Sequence, residues 1–111
     1  MIYELRIYHM NPGKLQNMHN RFESPELDLF KKHGIHVCDM WEDHTGVEKI
    51  YYICAFRDLE HREAAWKSFA DDPEWQRVSE ETQRDGKFVN KVESYFMSRA
   101  PYMKPEWPNK L

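Results

Sequence analysis

The sequence predicts an α+β domain of the ferredoxin-like class, with the element order β-α-β-β-α-β and a four-stranded antiparallel sheet. Three observations carry this prediction. The chain opens on alternating apolar and polar residues, its middle holds two alternating runs around a glycine turn, and two stretches keep the three- and four-residue spacing of a helix. Elements in this order form the split β-α-β pattern.

The first half of the chain predicts one strand and one interrupted helix. Residues 2–10 alternate apolar and polar side chains, which is typical of a strand. After a turn at residues 11–13, apolar residues recur at helical spacing over residues 14–32. Pro25 interrupts this helix because the residue before a proline disfavours the α conformation. Ser24 is therefore expected to cap the second part.

A hairpin is predicted from two alternating runs, over residues 35–44 and 48–57, that flank a short turn containing Gly46. The length of the turn decides the register, because side chains alternate along a strand. A two-residue loop would put each cysteine on the opposite face from its partner. A three-residue loop pairs Cys38 with Cys54 and Trp41 with Tyr51.

Two helical pieces are predicted over residues 58–78. Asp58 begins the first piece, because its carboxylate can accept hydrogen bonds from the free backbone N–H groups. Asp72 and Pro73 begin the second piece, as N-cap and first helical residue. The fourth strand is predicted over residues 87–98.

The chain is expected to form one domain over residues 1–99, followed by a Pro-rich C-terminal arm over residues 100–111. A length of 111 residues allows a hydrophobic core but leaves no room for a second domain. The three prolines within residues 101–108 exclude the arm from the interior of a sheet.

Composition excludes several classes of partner. The net charge of -3, with Lys and Arg scattered along the chain, gives no basic patch for nucleic acid. No apolar run approaches the ~20 residues that a membrane-spanning helix needs. The N-terminus runs directly into the first strand without a secretory leader, which predicts a cytoplasmic protein. Cys38 and Cys54 are then expected to be reduced thiols.

The predicted sheet is apolar on both faces. Because both helices are expected to cover only one face, something else has to cover the other. The usual cover is a second copy of the same chain, so the sequence predicts an isologous homodimer. The strand that shows this best alternates Tyr51, Ile53 and Ala55 with Ile50, Tyr52, Cys54 and Phe56.

Several short motifs along the chain resemble those of the NIPSNAP family, in the same order. The resemblance covers residues 2–99. The motifs are Tyr3-Glu4-Leu5-Arg6-x-Tyr8, Pro12-Gly13-Lys14, Lys32-His33-Gly34-Ile35, Arg62-Glu63-Ala64-Ala65-Trp66-x-x-Phe69, Asp72-Pro73-Glu74-Trp75 and Val92-Glu93-Ser94.

This resemblance implies a dimeric α/β barrel, in which two ferredoxin-like protomers pack sheet against sheet. Similar barrels include cofactor-free monooxygenases, haem-degrading enzymes and small isomerases, but a shared fold does not transfer their chemistry. Two features depart from the family pattern. Asp39 stands where many relatives carry a glycine, which leaves a β-bulge there open, and the Pro-rich arm lies outside the resemblance.

The candidate ligand-binding residues are polar and aromatic side chains of the predicted sheet. If the first and fourth strands are neighbours, their polar side chains can share one face, and charges on a covered face are costly unless paired. One hypothesis is a pocket for a small anionic or polar-aromatic ligand with Arg6 as its anchor. The alternative is an Arg–Glu pair that fixes the dimer register. The candidates are Glu4, Arg6, Tyr8, Trp41, Tyr51, Glu93 and Tyr95.

One strand carries metal-ligating residue types, but its geometry argues against a metal site. At ~3.3 Å per residue, His36 and His44 lie about 26 Å apart and cannot share an ion. The sequence contains no recognisable Ser/His/Asp set, phosphate-binding glycine loop or Cys-x-x-Cys pair. We therefore predict neither a metal nor a cofactor. The strand's residues of this type are His36, Cys38, Met40, Glu42 and His44.

Two functions are the main hypotheses from these features, and haem binding is a third. The leading hypothesis is a homodimer that binds a small molecule between sheet and helices, including a cofactor-free enzyme with Tyr8, Glu4 or His36 as acid–base groups. The alternative is a protein-interaction module that uses the dimer and the C-terminal arm. An enclosed pocket that contacts Arg6 or Tyr8 favours the first, and a filled core with an exposed aromatic patch near Tyr102 or Trp107 favours the second.

Overall fold

The computed structural model of the protein describes residues 1–104. Within them the element order is the predicted one, with the first helix in two parts and the second as two consecutive helices. The strands are β1 (Ile2–Met10), β2 (His36–Glu42), β3 (Lys49–Phe56) and β4 (Val89–Met97). The α-helices are α1 (Leu15–Arg21), α2 (Leu27–Lys32), α3 (Leu59–Ala70) and α4 (Pro73–Thr82).

The four strands form one antiparallel sheet with the order β2-β3-β1-β4. This order confirms the predicted ferredoxin-like fold. We call the side of the sheet that packs against the helices the helix face, and the other side the open face. The core joins the helix face to the helices, through Tyr8, Met10, Ile50, Tyr52, Cys54 and Phe56 from the sheet and Met18, Phe22, Leu29, Phe30, Ala65 and Phe69 from the helices.

The break in the first helical layer lies where the sequence predicts it. Ser24 has extended backbone angles (φ -159°, ψ 121°) inside a wider π-helical segment, Phe22–Glu26, and the Ser24–Pro25 peptide bond is cis. The expectation that Ser24 caps the second part is wrong, because α2 follows from Glu26 without a side-chain cap. The segment instead leaves the charged residues Arg21 and Glu26 buried at either end of the break.

Both predicted caps of the second helical layer are confirmed. Asp58 Oδ1 accepts a hydrogen bond from the backbone N–H of His61 at 2.7 Å, and Asp72 Oδ1 accepts one from Glu74 at 2.8 Å. Pro73 is the first residue of α4, where its missing N–H costs nothing. The aspartates thereby fix where α3 and α4 begin.

The hairpin register is confirmed in one half and corrected in the other. Trp41 lies opposite Tyr51, as predicted, but Cys54 lies opposite Val37 and not opposite Cys38. The reason is a β-bulge between Val37 and Asp39, which inserts Cys38 as an extra residue. The bulge that the sequence left open is therefore present, and neither cysteine forms a disulfide within residues 1–104.

Candidate functional site

A cleft of about 460 Å³ lies between the helix face of the sheet and the helices. Its lining combines aromatic rings with an unusual number of guanidinium groups. The aromatic and charged residues of the lining are Tyr8, Phe30, Trp66, Phe69 and Trp75, and Arg6, Arg21, Arg62 and Glu26.

Glu4 lies beneath this cleft and is completely buried. Arg62 donates to both of its oxygens, from Nε to Oε1 at 3.1 Å and from Nη2 to Oε2 at 2.9 Å. Further donors are Trp66 Nε1 at 3.0 Å, Ser94 Oγ at 2.6 Å and Arg6 Nη1 at 2.9 Å. Burial alone would raise the pKa of Glu4, but the hydrogen bonds from Arg62 and Ser94 outweigh it and lower the pKa to about 2. Glu4 is therefore a fixed negative charge at neutral pH.

Arg6 connects this buried carboxylate to the cleft. Its Nε donates to Tyr52 Oη at 2.8 Å and its Nη1 to Glu4, so two of its five N–H donors are engaged in these bonds. The guanidinium carbon lies 4.5 Å from the centre of the Trp66 ring. The side chain keeps 16% of its surface exposed and lines the cleft, so it can still contact a ligand.

Arg21 and Glu26 form a second buried pair at the cleft. Arg21 Nε donates to Glu26 Oε1 at 2.8 Å, and its guanidinium carbon lies 5.0 Å from the centre of the Trp75 ring. Glu26 keeps only 2% of its surface exposed. Burial raises its pKa to about 7, although the positive charge of Arg21 opposes this shift. At neutral pH, Glu26 can therefore both accept and release a proton.

Tyr8 and Tyr52 bring two hydroxyl groups together in the floor of the site. Their oxygen atoms lie 2.7 Å apart, and Tyr52 Oη also accepts the hydrogen bond from Arg6. Tyr52 is completely buried, whereas Tyr8 reaches the lining of the cleft. Burial raises the pKa of both phenols, so both are protonated at neutral pH.

The charges around the cleft favour an anionic ligand. The lining holds three guanidinium groups and one carboxylate, that of Glu26. The charge of Arg62 is offset by Glu4 beneath the cleft and by the exposed Glu63 outside it. Because Glu26 is only partly ionised near its pKa of about 7, positive charge is in excess at the cleft surface.

The predicted ligand-binding residues do not share one face of the sheet. Glu4, Arg6 and Tyr8 lie on the helix face, opposite Phe96, Ser94 and Val92 of β4. The other four predicted residues lie on the open face, which corrects the expectation of one polar set. On β4, Glu93 is paired with Ile7 and Tyr95 with Leu5, and on the hairpin Trp41 is paired with Tyr51.

The polar groups of the open face bind one another. Glu93 Oε2 lies 2.6 Å from His9 Nε2, and Tyr95 Oη donates to Glu93 Oε1 at 2.8 Å. Tyr51 Oη donates to Asp43 Oδ2 at 2.6 Å. None of these residues belongs to the lining of the cleft.

His36 and the metal-ligating types on its strand also lie away from the cleft. His36 is paired with Ala55, whose neighbour across β1 is Tyr3, on the open face. Within residues 1–104, no group of three or more His, Cys, Asp or Glu side chains is arranged to hold a metal ion. The helices of the same part of the chain are all too short or too polar to span a bilayer.

The structure assembles a Ser-His-Asp arrangement that we did not recognise in the sequence. Ser68 Oγ lies 2.5 Å from His33 Nδ1, and His33 Nε2 lies 2.6 Å from Asp72 Oδ2. Asp72 Oδ2 also accepts a hydrogen bond from Lys32. This set joins α2, α3 and the start of α4 outside the cleft, so it adds no group to the candidate site.

Sequence reasoning missed three charged members of the site, Arg21, Glu26 and Arg62. A signal for Arg62 is visible, because it falls at helical spacing among the apolar residues Ala65 and Trp66. A charge on an apolar helix face has to find a buried partner. For Arg21 and Glu26, the five-residue separation across the break at Ser24 concealed that they meet.

The family of the chain is identified by comparison with known proteins. A NIPSNAP family model matches residues 3–104. No curated protein matches the chain. Among solved structures, an uncharacterised NIPSNAP domain protein from Burkholderia xenovorans is 22% identical, with a TM-score of 0.81 over 95% of this chain and 100% of that one.

Two further structures agree with this fold. A NIPSNAP family protein with unknown function from Agrobacterium tumefaciens is 23% identical, with a TM-score of 0.81 over 93% of this chain and 91% of that one. A putative antibiotic biosynthesis monooxygenase from Nitrosomonas europaea is 8% identical, with a TM-score of 0.63 over 89% and 98%. Likeness at these identities shows the fold alone. The family model covers nearly the whole chain, so the protein belongs to the NIPSNAP family.

Proposed function

We propose that this protein is a cytoplasmic homodimer that binds a small anionic molecule with an aromatic ring in the cleft between sheet and helices. The observation that carries the proposal is the position of Arg6, held by Glu4 and Tyr52 at the surface of a cleft lined by further guanidinium groups. Acid–base chemistry on the ligand, without a cofactor, is the catalytic form of this proposal.

Arg6 is suited to anchor the acidic group of the ligand. Its guanidinium group presents N–H donors in a planar fork, which matches the geometry of a carboxylate. Glu4 and Tyr52 fix the orientation of the group, so little side-chain entropy is lost when a ligand binds. A carboxylate at this position would replace water around an already oriented cation.

The aromatic lining suits the remainder of such a ligand. The Phe69 and Trp75 rings lie 4.6 Å apart between centroids, and Phe30 and Trp66 lie 5.3 Å apart. Together with the apolar lining, these rings would exclude water from a planar ring while Arg6 holds its acidic group.

The homodimer is supported by the composition of the open face. Trp41 and Tyr95 are exposed there to 41% and 50%, beside the apolar residues Leu5, Ile7 and Ile53. A second copy with the same face would cover these side chains by isologous packing. The proposal of a cytoplasmic location is supported by the two cysteines, which form no disulfide within residues 1–104, as reducing conditions would require.

The alternative function, a protein-interaction module, has weaker support. Tyr102 is exposed to 84%, but Trp107 lies outside the residues that the structure describes. The cleft contacts both Arg6 and Tyr8, which supports a small-molecule site, although it is open to solvent and is not the enclosed pocket that we expected.

The proposal can be tested by measuring the binding of simple aromatic carboxylates with ligand-observed NMR. Native mass spectrometry of freshly purified protein would detect a ligand that co-purifies. We expect binding by the wild type, loss of binding in Arg6→Met, and retention in Arg57→Met, which removes an exposed arginine outside the cleft. Equal binding by the two variants would exclude Arg6 as the anchor. If the wild type neither carries a ligand nor binds any of the carboxylates, the proposed function is wrong.

A further inference from the structure

The hydrogen bonds among Arg6, Tyr52 and Tyr8 have only one direction in which both Arg6 Nε–H and the buried Tyr52 hydroxyl hydrogen find an acceptor. Arg6 Nε can only donate, so Tyr52 Oη accepts at 2.8 Å. The hydroxyl hydrogen of Tyr52 is buried and needs an acceptor of its own, and Tyr8 Oη lies 2.7 Å away. Tyr52 therefore donates to Tyr8, and the hydrogen of the Tyr8 hydroxyl remains available.

That hydrogen is available to a ligand, because Tyr8 is part of the cleft lining. The chain of bonds begins at a cation and runs through two hydroxyl groups in the same direction, so each bond polarises the next. The hydrogen bond from Tyr52 and the charge of Arg6 strengthen Tyr8 Oη–H as a donor and oppose the effect of burial, which raises the pKa of Tyr8. Donors of this kind stabilise negative charge that develops on a carbonyl oxygen.

Glu26 presents one oxygen atom to the same cleft. Its Oε1 accepts the bond from Arg21, whereas Oε2 accepts no hydrogen bond from residues 1–104. In that part of the chain, no buried side-chain oxygen lacks a partner. Oε2 therefore keeps a small exposed area, although Glu26 as a whole is only 2% exposed, and Glu26 belongs to the lining of the cleft.

We propose that the cleft catalyses proton transfer at the carbon next to the carbonyl group of a small aromatic 2-oxo acid. This inference rests on the proposed function, since Arg6 would hold the carboxylate of that acid. In a 2-oxo acid the carboxylate and the keto oxygen are adjacent, and the Arg6 guanidinium carbon lies 5.6 Å from the centre of the Tyr8 ring. One ligand can thus contact both groups, with its keto oxygen at Tyr8.

The reaction needs no oxidant or reductant. Glu26 Oε2 takes a proton from the carbon next to the carbonyl group, and the electron pair of that C–H bond forms a C=C bond. The π electrons of the carbonyl move to its oxygen, and the resulting enolate accepts a hydrogen bond from Tyr8. The protonated Glu26 then delivers its proton to this oxygen, which completes the conversion of the keto acid to its enol. The reverse steps return the keto form.

The surroundings of Glu26 fit this role. Arg21 and Arg6 are the charged groups that act on it, and its charge in turn acts on Tyr8. Burial raises the pKa of Glu26 to about 7, which suits a group that accepts and releases a proton near neutral pH. A closer ion pair with Arg21 would lower the pKa of Glu26 further. Glu26 would then remain a carboxylate and could not hold the proton that it has to return.

The test is the exchange of hydrogen for deuterium at C3 of phenylpyruvate in D₂O, followed by ¹H NMR with the full-length protein. We expect the wild type to exceed the buffer rate, Glu26→Gln to abolish the excess and Tyr8→Phe to lower it by about 100-fold. Tyr51→Phe is the matched control, because it removes a tyrosine hydroxyl from the open face, and it should exchange as the wild type does.

Binding of phenylpyruvate is measured in the same samples by saturation transfer from protein to ligand, and folding by circular dichroism. Binding by the wild type without exchange above buffer would overturn the catalytic inference and leave the proposed binding function intact. Absence of both binding and exchange would overturn both for this class of ligand. If folded Glu26→Gln exchanges at the wild-type rate, Glu26 is not the base and the inference is also wrong.

Discussion

Arg62 and Glu4 join α3 to the first strand through two hydrogen bonds, at 3.1 and 2.9 Å. Their side chains keep 19% and 0% of their surface exposed. With Arg6, Trp66 and Ser94 as further donors, all contacts of the Glu4 carboxylate are made within the protein. These contacts and the pKa of about 2 favour a structural role for Glu4, in which it orients Arg6, over the acid–base role that the sequence suggested.

The first prediction concerns the stability of Glu4→Gln. The amide removes the negative charge and leaves Arg62 and Arg6 without their buried partner. We expect the free energy of unfolding to fall by about 3–5 kcal/mol, the scale for breaking a buried ion pair. Urea unfolding of the ligand-free variant measures this value.

Glu93→Gln is the matched control for Glu4→Gln. Glu93 lies on the open face, where its contacts are to His9 and Tyr95. Its replacement should change the stability much less than that of Glu4. Equal losses of unfolding free energy in the two variants would mean that the burial of Glu4 does not determine how much it contributes to stability.

The second prediction concerns Arg6→Met, which keeps much of the apolar stem. The sequence suggests a polar set of Arg6 with Glu4 and Glu93, and if that set were purely structural, the loss of Arg6 would leave two carboxylates unpaired. In the structure Glu93 lies on the other face, and Glu4 retains Arg62, Trp66 and Ser94. We therefore expect a smaller loss of about 2 kcal/mol, the scale of one charged hydrogen bond.

Urea unfolding of ligand-free Arg6→Met and wild type measures this difference. A loss as large as that of Glu4→Gln would show that Arg6, and not Arg62, provides most of the partner charge for Glu4. Loss of ligand binding with a modest loss of stability would agree with Arg6 as an anchor. Unchanged stability and unchanged binding would contradict both roles of Arg6.

The sequence predicts the strands and helices of this fold better than it predicts which strand faces coincide in the sheet. The bounds of β1 and the caps at Asp58 and Asp72 follow from alternation and from side-chain chemistry within a few residues. Which faces of two distant strands coincide does not follow from such local patterns. Alternation correctly grouped Glu93 with Tyr95, but only the register between β1 and β4 places them away from Glu4.

The site was predictable only where it depends on one strand. Arg6 and Tyr8 alternate on β1, so their shared face was clear from the sequence. Arg21 and Glu26 meet because the helix breaks at Ser24, and the geometry of such a break is a tertiary property. A single inserted residue, Cys38, likewise changes which side chains are paired across the hairpin.

The third prediction concerns the pH dependence of stability. Folded Glu26 keeps its proton up to about pH 7, whereas its ordinary pKa is 4.5. Between these values the folded state binds more protons than the unfolded state, so the free energy of unfolding falls as pH rises. At 1.36 kcal/mol per pKa unit, this contribution falls by at most about 3 kcal/mol across the window.

Glu26→Gln tests this dependence, because the amide cannot ionise. The stability of the wild type relative to this variant should decline between pH 4.5 and about 7 and then level. Below pH 4.5 both proteins should lose stability together because of Glu4. Unfolded Glu4 binds a proton near its ordinary pKa of 4.5, whereas folded Glu4 stays ionised down to its pKa of about 2. Parallel curves for the two proteins from pH 4.5 to 7 would contradict the raised pKa of Glu26.

The fourth prediction concerns the two cysteines. Unfolded, unreduced protein should contain two titratable thiols, since neither cysteine forms a disulfide within residues 1–104. In folded protein diluted until the open face is uncovered, Cys38 should react faster, because it lines a cavity of about 160 Å³ on that face with Tyr3 and Ile53, whereas Cys54 is completely buried. Burial also raises the pKa of Cys54 strongly, which disfavours its thiolate.

The variants Cys38→Ser and Cys54→Ser assign the reaction to one thiol. The native reaction with a disulfide reagent should disappear in Cys38→Ser and persist in Cys54→Ser. Equal rates in the two variants would contradict the placement of the cysteines on different faces. Finding no thiol in unfolded, unreduced protein would mean a disulfide that the structure does not contain.

The last prediction concerns the assembly of the protein. If the open face is covered by a second copy, sedimentation equilibrium at micromolar concentration should give about twice the chain mass of 13.5 kDa. Trp41→Glu places a charge on this face and should shift the mass to that of one chain, because a buried, unpaired carboxylate is costly.

Leu59→Glu is the matched control, since Leu59 is an exposed apolar residue at the start of α3 and not on the sheet. It should remain dimeric. A wild-type mass near 13.5 kDa would exclude the homodimer, and dissociation by both variants would exclude the open face as its specific interface.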